Sequence, residues 1–323
     1  MNLYPLIKIL ADGRFHTGTV LGSILGISRT AVWKQVRRLS VLGLEYQMDK
    51  PRGYALLSPL DLLDSSTIQS LLSDSSPALK AETIPTIDST NMELLRRVNQ
   101  GLSIHGTLLT AEMQTLGRGR RGRGWFSPFA SSISMSIGWD FDGSANELQG
   151  LSLAVGVAIQ KALQGLNIEG AGLKWPNDIY TAQGKLGGIL IEITGDLAGP
   201  CQLIVGVGIN VVSNSFANEV DQAVGFIDQL STDVPTRSQI VVACAEEVVK
   251  VLEQFQVNGF SFWQDEWNKR HIWAGQAAKI ITQKGETAVV LGGVNAMGEL
   301  EVVYPSGERA YINSGEVSVR INS

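Results

Sequence analysis

The chain has 323 residues, more than one ordinary hydrophobic core organises, so two or three domains are expected. Hydrophobic residues make up 44% and charged residues 18%, and no apolar run approaches the ~18 residues of a membrane span, which excludes a membrane-spanning reading and a disordered one. The net charge of −5 is uneven: residues 1–58 carry eight Lys/Arg against three Asp/Glu, so a small basic module precedes an acidic body and a polyanion partner is expected for that module alone.

Residues 1–10 lack a basic leader with a small-residue cleavage site. Cys201 and Cys244 lie singly in apolar stretches, the pattern of buried thiols in a reducing compartment, so a cytoplasmic protein is expected. The three histidines are far apart, and no side-chain cluster with metal-ligand spacing is present.

In chain order, Pro5–Ala11 and Thr19–Leu25 read as short helices ending at Gly13 and Gly26. Ser28 is a good N-cap for a third helix, Arg29–Leu42, stopped by Gly43. Val32, Val36 and Leu39 form its buried stripe and leave Arg29, Thr30, Trp33, Lys34 and Arg37 largely on other faces. Two strand-like pieces, Leu44–Met48 and Tyr54–Leu57, flank a basic tip at Lys50 and Arg52. Helix-turn-helix plus wing is the pattern of a DNA-binding module, with Ser28–Ser40 as recognition helix. Ser58–Lys80 reads as a polar linker helix.

From Ile84 onward strands and helices alternate. Ser89 or Thr90 caps a helix through Val98; Thr107–Gln114 and Ser132–Asp140 are strands; Leu148–Leu166 is a helix. Gly172–Trp175, Gly187–Thr194 and Gln202–Val211 are further strands, too close together for crossover helices, which argues for a mixed or antiparallel sheet. Ser213–Ala223 is polar and aperiodic and reads as a mobile loop. Helices at Arg237–Gln256 and Phe260–Trp267 follow, and residues 272–322 read as short strands of a small β-barrel. The fold class expected is a multidomain α+β protein, divided at 1–60, 61–82, 83–270 and 271–323.

The segment with most chemistry is Gly117-Arg118-Gly119-Arg120-Arg121-Gly122-Arg123-Gly124-Trp125. Four guanidinium groups cannot share a dry core unpaired, so the segment faces solvent or an anion, and it reads as a loop free to close over its ligand. It contains a literal Gly-x-Gly-x-x-Gly, but no helix opens at the third glycine, so the dinucleotide reading is rejected. Lys174-Trp175-Pro176-Asn177-Asp178 ends a strand in a turn. Lys185, between Gly184 and Leu186-Gly187-Gly188, is a compact cation at the mouth of a strand, suited to a carboxylate or phosphoryl oxygen.

These pieces, with Ser89-Thr90-Asn91 and Gln114 upstream, resemble the motifs of biotin–protein ligases, in order and over essentially the whole chain. The basic N-terminal module adds a resemblance to the bifunctional members, which join biotin–[carrier protein] ligase activity to repression of the biotin operon. The resemblance implies two half-reactions: biotin and Mg-ATP give biotinyl-5′-AMP, and a lysine of the biotin carboxyl carrier protein of acetyl-CoA carboxylase then displaces AMP. It implies that Arg118, Gly119 and Arg120 hold carboxylate, phosphates and adenylate, and that Lys185 holds the reacting carboxyl and α-phosphoryl oxygens. Ser89, Thr90, Asn91 and Gln114 fall to the ureido ring and Trp125 to an apolar wall. Asn177, Gly188 and Asn210 fall to the adenylate, Phe226 to adenine, and Asp178 to the incoming lysine or a metal. It further implies ATP, magnesium and biotin as ligands, biotin operator DNA as partner, and a homodimer with the adenylate as corepressor. A lipoate–protein ligase, a non-catalytic biotin sensor and a monofunctional ligase are the alternatives. The arginine–glycine loop, the retained Lys185 and the basic third helix argue against them in turn.

Overall fold

The computed structural model describes residues 2–72, 79–196, 198–213, 222–282, 285–314 and 318–321. The N-terminal module has three helices, α1 (Tyr4–Leu10), α2 (Gly18–Leu25) and α3 (Arg29–Val36), then an antiparallel hairpin of β1 (Tyr46–Asp49) and β2 (Gly53–Leu56). Thr17 caps α2 and Ser28 caps α3, each accepting a backbone N–H at 3.2 Å. Gly26 ends α2 with a left-handed residue, φ +65°.

The third helix is shorter than its apolar stripe suggests. It stops at Val36, and Leu39–Leu42 forms a separate 3-10 turn. The Val41 N–H bonds the Arg38 carbonyl, and the Ser40 hydroxyl takes the Arg37 carbonyl that a continuing α-helix would have used. Leu39 still reaches the core because the tighter turn preserves its facing.

Among the described residues, the expected helix over 58–80 is present only as α4 (Ser65–Leu71), capped by Asp64 and preceded by a non-helical stretch carrying Pro59; residues 73–78 lie outside the described part. Ser58–Lys80 is also no free linker. Leu63 and Ile68 are buried in the main core, and α4 packs on α7 and β3. Buried Arg237 holds the approach to α4: it donates to the Asp61 carbonyl at 2.8 Å and pairs with buried Glu112 at 2.6 Å, whose other oxygen accepts the Leu63 N–H. Burial pushes the Glu112 carboxyl up, and Arg237 opposes it.

The central body is built on β3 (Lys80–Ile87), α5 (Thr90–Asn99), β4 (Thr107–Gln114), β5 (Ser132–Phe141), α6 (Leu151–Gly165), β6 (Gly172–Lys174), β7 (Asp178–Tyr180), β8 (Lys185–Gly195), β9 (Cys201–Asn210), α7 (Arg237–Asn258) and α8 (Gln264–Arg270). Its sheet runs β3-β4-β5-β9-β8-β7-β6. Only β3 and β4 are parallel, joined by α5; every other neighbour pair is antiparallel, so the sheet is mixed. Three-residue β7 is too short to show a period in sequence. The aromatic stretch 260–267 is a 3-10 turn, Phe260–Phe262, followed by α8.

Strands β10 (Ala277–Thr282), β11 (Gly285–Val294), β12 (Leu300–Val303), β13 (Arg309–Ile312) and β14 (Ser318–Ile321) form an antiparallel C-terminal sheet in the order β13-β12-β11-β10-β14. Its Ile280, Leu291 and Val302 share one apolar core with the central body. The N-terminal module has its own core, closed by Phe129 and Ala130 from the central body. Among the described residues no helix is long and apolar enough to cross a membrane.

Candidate functional site

A cleft opens between the glycine-bearing middle of β9, the N-terminus of α5, the ends of β4 and β8, the arginine segment and the β6–β7 turn. Its lining includes Ser89, Thr90, Asn91, Gln114, Arg118, Gly119, Arg120, Trp125, Asn177, Asp178, Lys185 and Gly188. The strand ends thus bring twelve sequence-expected site residues to one place.

The arginine segment is a short hairpin with a backbone ladder. Trp125 N–H donates to Gly117 at 2.8 Å, Gly119 N–H donates to Arg123 at 2.7 Å, and Gln114 bridges Ser127. Arg121 and Gly122 turn the tip with positive φ. The hairpin lays the Trp125 ring over β9 at Gly208, where a Cβ would lie 2.5 Å from the ring. That glycine is therefore required by the wall of the cleft.

The floor is a connected polar network. Ser89 caps α5 and accepts the Met92 N–H. Gln114 Oε1 accepts from the Thr90 N–H at 2.9 Å and hydroxyl at 3.2 Å, while its Nε2 donates to Ser134. That fixes the amide orientation and leaves one Nε2 hydrogen free to face the cleft. Asn91 is already engaged at both ends: Nδ2 donates to Leu190 and Glu192, and Oδ1 accepts from Ser136. It braces the floor beside the residues that can still offer a bond.

The other end of the cleft is cationic. Arg120, Arg123, Lys174 and Lys185 line it with Asp178, while Arg118 lies nearer the floor. Lys185 Nζ lies 2.6 Å from Asp178, and Lys174 Nζ lies 3.7 Å away. Lys174 also rests against the rings of Tyr180 and Trp273, 4.5 and 4.4 Å from their centroids. Burial pushes the Lys174 ammonium down to about 8; Asp178 opposes the shift, and Lys185 and Arg123 add to it. Burial pushes Arg120 down too, with Arg121 beside it. Arg120 donates to the Ser314 carbonyl at 2.9 Å, which ties the hairpin to the C-terminal sheet. Arg118 pairs with Glu192 at 3.0 Å. Neutral fixed dipoles at one end and a cluster of cations at the other suit a ligand with a polar uncharged head and an anionic tail.

Residues 83–210 match the biotin/lipoate A/B protein ligase family. The bifunctional ligase/repressor BirA of Salmonella typhimurium is 33% identical over 315 residues, 98% of this chain and 96% of that protein. The chain belongs to the biotin/lipoate A/B protein ligase family. The Escherichia coli protein of the same name is also 33% identical, over 99% of this chain and 98% of that one. Among solved structures, the biotin protein ligase of Aquifex aeolicus in complex with biotin and ATP is 26% identical, with a TM-score of 0.64, covering 75% of this chain and 99% of that one.

Within this family member, two expected site residues lie outside the lining. Asn210 Nδ2 donates to the carbonyls of Lys185 and Gly225, so it pins the mouth of β8 to the segment after 221. Phe226 is buried away from the cleft. Most of the expected loop Ser213–Ala223 lies outside the described residues; Gln222 lines the cleft. On the N-terminal module, Arg29, Thr30, Trp33 and Lys34 share one exposed face of α3 with Arg37 at its C-terminal end, the Arg37 guanidinium 4.9 Å from the Trp33 ring, and Ser28 is exposed at the N-cap. Lys50 and Arg52 are exposed at the hairpin tip.

Sequence reasoning missed Glu192, Ser134 and Ser136. The signal for the serines was available: Ser132, Ser134 and Ser136 alternate along β5 and so share a face. Glu192 stood as a lone acid between Ile191 and Ile193.

Proposed function

We propose that this chain is an ATP-dependent biotin–protein ligase that also represses the biotin operon, working in the cytoplasm. The observation that carries the reading is the cleft's polarity: Ser89, Thr90 and Gln114 at the neutral end, Lys185 and Arg120 at the cationic end, with Arg118 and the Trp125 ring on the hairpin that joins them. Relatives named as bifunctional ligase/repressors over nearly the full chain support both activities.

In the first step the biotin carboxylate oxygen attacks the α-phosphorus of Mg-ATP; a carboxyl–phosphate anhydride forms and pyrophosphate leaves. Both reactants are anions, and the cations remove their repulsion and hold the in-line geometry. Arg118, Arg120 and the Gly119 backbone grip carboxylate and phosphates. Lys185, aimed by Asp178, neutralises charge at the reacting oxygens. Asn177 and Gly188 border the adenylate. In the second step the amine of a carrier lysine attacks the carbonyl carbon, gives up a proton, and AMP leaves as the amide forms. Asp178 is assigned to orient that amine, or would hold magnesium brought in with ATP. Asn210 and Phe226 support the nucleotide side from behind the cleft.

The N-terminal module is read as a winged helix-turn-helix, with α3 as recognition helix and Lys50–Arg52 as wing, binding operator DNA as a homodimer when biotinyl-5′-AMP is bound. The exposed basic face of α3 supports this reading. The C-terminal sheet is read as an SH3-like module that steadies the arginine hairpin through Ser314. The division into 1–60, 61–82, 83–270 and 271–323 accompanies these assignments.

The test is biotin-dependent ATP–pyrophosphate exchange. Lys185→Ala should lower it by about 10²–10³, the usual cost of one preorganised donor, at an unchanged melting temperature. Exchange at the wild-type rate would remove Lys185 from the chemistry.

A further inference from the structure

The segment after the arginine hairpin has one end in the cleft and the other in a different hydrophobic core. Trp125 walls the cleft. Two residues on, Ser127 is buried and its hydroxyl lies 2.9 Å from that of Ser134, which accepts from Gln114. Two residues further, Phe129 is 3% exposed and belongs to the core of the N-terminal module, with Leu6, Ile7 and Leu39. Ile7, Leu42 and Phe129 line one crevice between the module and the central body. Ala130 beside it holds φ +55° and bonds the Glu112 carbonyl, two residues before Gln114 on β4. A non-glycine residue stays in the left-handed region only where its surroundings over-determine it. The backbone from Trp125 to Ala130 is therefore held at both ends, and the short span lets a shift at one end reach the other.

Resting on the ligase reading above, we propose that Phe129 is a positioning residue of the biotin pocket: its seat in the N-terminal module's core sets the placement of Ser127 and Trp125, so pocket occupancy and module placement bias one another. Phe129 is buried and does not line the cleft. It acts through the backbone it anchors, and the coupling is reciprocal by linkage.

The experiment uses the full chain, with carrier biotinylation kinetics in parallel with hydrogen exchange of α1 and Leu39–Leu42, with and without biotin and ATP. Phe129→Ala should raise the KM for biotin at least about fivefold, the lower end of ordinary coupling, with kcat within about twofold. Phe129→Leu should restore the wild-type KM. Ligand should increase protection of α1 and Leu39–Leu42 in wild type and Phe129→Leu but not in Phe129→Ala. Ile7→Ala, which loosens the seat from the module's side, should raise the same KM, and it carries the test should Phe129→Ala not fold. Wild-type KM in both truncations, or ligand-induced protection undiminished by them, overturns the proposal. A wild-type protein that fails to ligate biotin at all removes the functional reading, and this proposal with it; an active wild type with indifferent variants removes this proposal alone.

Discussion

At the residue scale the cationic end of the cleft holds two lysines sharing Asp178. They differ in environment. Lys174 lies in an aromatic cage and its ammonium is pushed down to about 8 by burial. Below that pH it is a cation facing the cleft; above it the charge is lost while the arginines keep theirs. In the free enzyme kcat/KM for ATP should therefore fall as pH rises through about 8. Lys174→Met should lower the rate and abolish that limb. A limb that survives in Lys174→Met assigns the titration to another group. Lys185 and the arginines were legible in sequence because isolated cations among glycines have no packing role. The Lys174 cage was not, because Trp273 comes from a segment 99 positions away that no local pattern connects to it.

At the element scale, β9 and the hairpin explain why small residues stand where they do. The Trp125 ring occupies the space a Cβ at Gly208 would need. Gly208→Ala should displace the ring and raise the KM for biotin roughly tenfold, ~1.4 kcal/mol and within the ordinary cost of overpacking. The melting temperature should shift little, because the displaced ring faces the cleft; an unchanged KM would show that Trp125 does not wall the ligand. Strand β4 was read from sequence to the residue, since its apolar run has clear ends, and α5 was marked by its serine cap. The third helix was over-extended because Leu39 fits the helical stripe equally well from a 3-10 turn. The polar stretch 58–80 was over-read as helix; its start is fixed by Glu112 and Arg237, partners remote in sequence.

At the scale of the whole molecule, the central and C-terminal sheets share one core, and the N-terminal module keeps a second, closed by Phe129 and Ala130. The charge asymmetry follows the same division, with an excess of five positive charges over residues 1–58. Arg37→Ala, on the exposed face of α3, should weaken operator binding in a gel shift by ~1–3 kcal/mol and leave biotinylation at the wild-type rate. Equal loss of both activities would show that the residue supports the fold and not the DNA contact. The mixed sheet was foreseeable from the short spacing of its strands. The closing of the N-terminal core by Phe129 and Ala130 was not, because nothing in the sequence around them distinguishes them from residues of the central core.

The most direct measurement of the central claim is mass spectrometry of an apo biotin-carrier domain after incubation with the full chain, Mg-ATP and either biotin or lipoate. The account predicts one biotinyl group on the carrier lysine, dependent on ATP, and no transfer from lipoate. Lipoyl transfer without biotinyl transfer, or no modification by a folded protein that binds ATP, would contradict it.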